Sequence, residues 1–211
     1  QHNGQYAVRT SLLEEKAAAI SALAAIALAT RQHFMPYFEK SLSIFINDSS
    51  YFHYNVRRSA AVGLRNILYV AIPTQIKNTN DVLNADQVEL VKKVMLLFTT
   101  TMLEDDDKET VAVVCESISQ LCVDYGRKII DGNIDTLCSA LTALIAQKCP
   151  CNNNALEDDE DGSDHDILLI DAVSDAIDDI ARVVGPEFAN QFKYILPELL
   201  KYVGPNRDAG D

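Results

Sequence analysis

The chain has 211 residues, 48% of them hydrophobic and 23% charged, with 18 basic against 31 acidic side chains and a net charge of −13. That length and apolar content support a buried core. The acidic balance argues against nucleic acid as a direct partner, because phosphate binding needs clustered Lys and Arg, and it suits a partner that is itself basic. Five cysteines, Cys115, Cys122, Cys138, Cys149 and Cys151, are odd in number and irregular in spacing. They make no disulfide framework and imply buried, reduced thiols. The most apolar run, Ala17 to Ala29, is too short and too rich in alanine to span a bilayer, so no membrane partner is expected. No signal peptide opens the chain.

Apolar residues recur at three- and four-residue spacing almost throughout, and runs of period two are missing, which predicts an all-α protein of eight helices. The first runs from about Ser11 to Thr30, with Ser11 and Glu14 forming a capping box and Ala19, Leu23, Ile26 and Thr30 as the inward stripe. The second runs from about Phe34 to Asn47, with Pro36 in its first turn. The third covers Asn55 to Ala71, and a loop over 72–84 follows. The fourth, Ala85 to Leu103, is opened by Asn84 with Gln87 three residues on, and its stripe is Val88, Val91, Met95, Phe98 and Met102. The fifth, Asp107 to Tyr125, stops at Gly126, and the sixth covers Ile130 to Gln147. An acidic insertion, taken as disordered, fills 149–166. The seventh helix, Asp166 to Val184, stops at Gly185, and the eighth, Glu187 to Val203, holds Pro197 inside it, where a kink is expected.

The helices repeat. Shifted back by 154 residues, Val173, Ile177, Ile180, Val184 and Phe188 fall on Ala19, Leu23, Ile26, Thr30 and Phe34. Leu64 and Ile67 of the third helix and Ile118 and Leu121 of the fifth fit the same template. The anchors Ile26, Ile67, Leu121 and Ile180 are then 41, 54 and 59 residues apart. About 40 residues per helix pair is the period of HEAT and armadillo repeats, and the longer intervals contain insertions. The expected fold is a HEAT-repeat α-solenoid, a right-handed superhelical stack of four to five helix pairs, partial at both ends and cut from a longer array.

Two clusters of acids invite a function. In Leu156 to Asp166, the carboxylates are Glu157, Asp158, Asp159, Glu160, Asp161, Asp164 and Asp166. An EF-hand loop needs Asp at position one and Glu at position twelve, where this run has Glu157 and Leu168. Cys149 and Cys151 are too close for a usual zinc arm, with only His165 nearby. A catalytic acid pair needs a pocket that separates two pKa values, which a solvated loop lacks, so no enzyme, metal or cofactor is expected. A spacer and a docking loop stay open. The second cluster is on the seventh helix, where Asp171, Asp175 and Asp178 share one stripe with Arg182 and Asp179 lies beside them. Repulsion among these acids is relieved by a basic ligand or by water alone. Glu14 and Glu15 on the first helix, Asn55 on the third and Glu116 on the fifth complete the candidate surface. Arg57 and Arg58 read as structural.

Arg9 to Leu42, "RTSLLEEKAAAISALAAIALATRQHFMPYFEKSL", then "NVRRSAA", then an acidic insert before "DAVSDAIDDIARVVGPEFANQFKYILPELLKYV", resemble the karyopherin-β nuclear transport receptors. The branch they most resemble is the one around importin 4 and its fungal counterparts. The resemblance implies a monomeric receptor that binds basic cargo such as histones and ribosomal proteins, contacts FG nucleoporins, and releases cargo to Ran-GTP. It implies shuttling between cytoplasm and nucleus, and it makes this chain a central stretch without the Ran-binding repeats. The alternative from another class is a static HEAT scaffold of a phosphatase or trafficking adaptor.

Overall fold

The structure is a computed structural model that describes residues 10–73, 82–153 and 160–203, with the backbone alone at 160–163. Every regular element among them is helical: α1 (Thr10–Thr30), α2 (Phe38–Asp48), α3 (Tyr54–Ala71), α4 (Ala85–Glu104), α5 (Lys108–Tyr125), α6 (Ile134–Ile145), α7 (Glu160–Val184) and α8 (Ala189–Val203), with short 3-10 turns between some of them. The chain divides into two compact units, Gln1–Pro73 and Thr74–Asp211. Each is built from packed helical pairs of the HEAT kind.

In the first unit α3 packs on both α1 and α2. Ser21 and Ser59 hydroxyls meet at 2.9 Å, and Asn66 Nδ2 donates to the Ala24 carbonyl at 2.9 Å. Both partners advance along their helices together, so α1 and α3 run parallel, 38 to 42 residues out of step. That offset is the 41-residue interval of the sequence pattern. Asn66 is buried, and this bond gives its side-chain amide a partner on a mid-helix carbonyl of α1. Asn66→Leu is expected to cost about 1 kcal/mol through loss of that hydrogen bond, which urea unfolding measures.

The second unit repeats the arrangement. Lys108 pairs with Asp166 at 2.8 Å, Ser119 Oγ donates to Asp179 at 2.5 Å, and Arg127 pairs with Glu187 at 2.7 Å. These three ties, from one end of the helices to the other, set α5 and α7 parallel. In the same way Gln191 donates to Asp135, and the Tyr202 hydroxyl donates to the Ile145 carbonyl at 2.9 Å, setting α6 beside α8. The pair α7 and α8 therefore repeats the pair α5 and α6 at 56 to 60 residues, against the 59 of the pattern.

Local chemistry explains most boundaries. Asn84 accepts from the Gln87 amide at 2.9 Å, and Gln87 returns the bond to the Asn84 amide at 3.0 Å, closing the capping box on α4. Asp107 caps α5 by accepting from the Thr110 amide at 2.8 Å. Gly126 and Gly185, each at φ +69°, stop α5 and α7 in a conformation that side chains disfavour.

Several expectations need correction. The buried stripe of α1 is Leu13, Ala17, Ile20, Ala24 and Ala27, whereas Ile26 is 53% exposed and Ala19 and Thr30 face water. Nearly every position from Ala17 to Ala29 is apolar, so periodicity alone cannot choose among stripes. Contact with α3 chooses the alanine side, which allows closer approach. The repeat shift for α7 becomes 156, placing Leu169, Val173, Ala176 and Ile180 on Leu13, Ala17, Ile20 and Ala24, all buried. Ser11 lies inside α1, which includes Thr10, so it is not the cap residue. Pro36 sits in a 3-10 turn, Arg31–Tyr37, and α2 starts at Phe38. In α6 the start moves to Ile134, because Gly132 at φ +80° interrupts the chain before it. A 3-10 turn, Gly185–Phe188, precedes α8.

Candidate functional site

The acidic run does not form one loop. Residues 149–153 include a 3-10 turn, Pro150–Asn153, with Cys149 and Cys151 buried. Glu157, Asp158 and Asp159 lie outside the described residues. α7 begins at Glu160, so Glu160, Asp161, Asp164 and Asp166 belong to its first two turns, six residues earlier than Asp166 suggested. Carboxylates are favoured there, where the helix dipole presents its positive end. Tertiary contact also holds this start in place. The Asp166 carboxylate meets Lys108 at the head of α5, and His165 Nδ1 lies 3.0 Å from Glu109 Oε1. Asp164 is exposed.

The α7 stripe divides by partner. Asp179 is half-buried and accepts from Ser119 of α5, so it joins two helices. Asp178 is exposed and pairs with Arg182 one turn on, at 2.6 Å. Asp171 and Asp175 are exposed on the same side. Glu116 is exposed on α5, one turn before Ser119. These residues belong to the second unit, whose sequence holds 27 of the 31 acidic and 11 of the 18 basic residues. Glu14, Glu15 and Asn55 belong to the first unit. Glu14 and Glu15 are exposed in the early turns of α1. Asn55 is half-buried in the first turn of α3, where its amide donates to the His53 ring and its carbonyl accepts from Ser59. Both are backbone bonds local to the start of α3. Arg57 is similarly local, donating to the carbonyls of Tyr51 and Phe52, and Arg58 lies over the Tyr54 ring.

All five cysteines are free and buried. Burial, which disfavours the thiolate, is the main cause that pushes Cys122 up to about 12 and Cys138 up to about 11. Nearby Asp179 adds to the first and Asp135 to the second. Cys151 is pushed to about 12, and Cys115 and Cys149 are also raised. Thiolate is the reactive form, so the native chain at pH 8 is expected to leave all five unlabelled by a disulfide reagent until denaturant is added. Because the folded state keeps these protons while the unfolded state loses them near pH 9, stability falls as pH rises above about 9. Among the described residues no group of three or more His, Cys, Asp or Glu could hold a metal ion. No helix of the described residues is long and apolar enough to cross a membrane.

No protein-family model matches the sequence. The chain is similar to Importin-4 of Mus musculus, with 24% identity over 201 residues, which is 92% of this chain and 19% of that protein. The chain thus spans about a fifth of that relative's length. The likeness, at this identity, supports a distant relation to importin-β-like proteins.

Proposed function

We propose that this chain is a stretch of a nuclear import receptor of the importin 4 branch that holds basic protein segments against the acidic face of its second unit. The similarity to mouse Importin-4 over 92% of the chain carries this reading, and the HEAT-like helix pairs agree with it. The exposed Asp171, Asp175 and Asp178 supply the attraction, with Glu116 on α5 and Asp164 near the start of α7. Individual exposed ion pairs contribute about 0–1 kcal/mol, so useful affinity comes from several together. Cargo of this kind includes histones and ribosomal proteins, and Ran-GTP and FG nucleoporins act through the full-length receptor as it moves between cytoplasm and nucleus. A binding role without catalysis fits this surface of solvated acids. The test is a pull-down with full-length protein at physiological salt. Recovery of basic nuclear proteins that Ran-GTP strips off supports the proposal. Recovery of stable phosphatase or coat subunits, indifferent to Ran-GTP, would replace it with a static scaffold.

A further inference from the structure

A groove of about 430 Å³ runs beside the α7 acids, within the range of roughly 300–1,000 Å³ found for small-ligand pockets. Its walls are Ile177 and Ala181 of α7, Phe188 of the turn that follows, and Phe192 and Leu199 of α8. Phe188 and Phe192 rings stand 6.3 Å apart and form an aromatic side. Phe192 is 40% exposed, so the groove opens to solvent. Asp178 belongs both to the acidic stripe and to the rim of this groove. Asp171, Ser174, Asp178 and Ala181 recur at three- and four-residue steps, which carries the stripe along the rim. Asp179 points the other way, toward α5. Among the described residues the lining includes no Lys or Arg, although Asp178 is already paired with Arg182 of the next turn.

We infer that the partner of this face is a basic segment bearing a large apolar side chain, Leu or Phe, which seats in the α7–α8 groove while neighbouring lysines meet Asp171, Asp175 and Asp178. The inference rests on the basic-cargo reading above and narrows it. An all-lysine segment would satisfy the acids and leave the groove wet. A purely apolar one would leave the carboxylates unanswered. Only the mixed chemistry matches both, because the two features share Asp178.

The test uses two labelled peptides of alternating lysine and alanine, one with a central phenylalanine and one with alanine there. The 211-residue chain is expected to bind the phenylalanine peptide about tenfold or more tightly, from burial of one ring. Ala181→Trp fills the groove and Phe192→Ser removes its aromatic wall. Each is expected to abolish the preference while leaving affinity for the alanine peptide unchanged. Equal affinity of the wild-type chain for both peptides overturns the groove and leaves the acidic face standing, provided Asp171→Asn still weakens binding. Binding of neither peptide ends both readings. A dimer in sedimentation that Ala181→Trp dissociates would assign the groove to self-association and overturn the inference. Loss of the preference in the full-length protein would overturn it as well, by showing that further chain covers the groove.

Discussion

Replacing Gly63 with alanine is expected to destabilise the first unit by about 3 kcal/mol, as overpacking of a filled core does. Gly63 sits mid-helix in α3, where alanine would ordinarily help by about 1 kcal/mol. Packing reverses that sign. A Cβ at this position would lie 2.3 Å from Cδ1, 2.5 Å from Cε1 and 2.7 Å from Cγ of Phe45. Phe45 is completely buried in α2, so its ring has little room to yield. The glycine is what lets α2 and α3 approach this closely. Phe45→Ala alone is expected to cost about 3–5 kcal/mol through its cavity. The double variant is expected to cost less than the two singles added, because the added methyl then enters the space the ring has left. Urea unfolding of the four proteins measures this coupling. A Gly63→Ala variant as stable as wild type would mean that the ring moves freely and that the α2–α3 contact is looser than described.

Neutralising Asp171, Asp175 and Asp178 together with asparagine is expected to weaken binding of a basic peptide about tenfold. The three are not equivalent. Asp178 already faces Arg182 at 2.6 Å, so a cargo lysine there competes with an existing partner. Asp171 and Asp175 are exposed and are expected to contribute more each. Asp179→Asn acts differently, since it weakens the bond from Ser119 between α5 and α7, and its effect falls on stability before binding. Ranking the four single variants by peptide affinity, beside their unfolding midpoints, separates the exposed crest of the helix from its structural flank. Equal loss of affinity at all four would contradict that division.

Much of the fold was legible where a local rule decided it. The Asn84 and Gln87 box and the glycines at 126 and 185 fixed helix ends that the structure repeats. The 41- and 59-residue intervals stay close to the observed offsets of 42 and 60, although Ile26, the anchor on α1, is exposed. The register of α1 was not legible. Its alanines offer several apolar stripes of equal merit, and only contact with α3 selects one. The start of α7 was hidden for the opposite reason. Asp, Gly and Ser are poor helix formers, so the run from Glu160 to Asp166 reads as loop until Lys108 and Glu109 of α5 are placed beside it. At the candidate site, the spacing put Asp171, Asp175 and Asp178 on one face. It could not separate Asp179, whose partner is 60 residues away, or foresee a groove that depends on how α7 meets α8.

The central claim is that the second unit attracts basic segments through exposed carboxylates. The most direct measurement is a titration of a labelled, lysine-rich histone-tail peptide with the wild-type chain and the triple asparagine variant, at about 0.05 M and about 0.5 M salt, since screening of exposed charges deepens over that range. The wild-type chain is expected to bind clearly at low salt and to lose affinity steeply at high salt, and the variant is expected to bind weakly at both. Wild-type affinity that ignores salt, or a variant that binds as tightly as wild type, would contradict it.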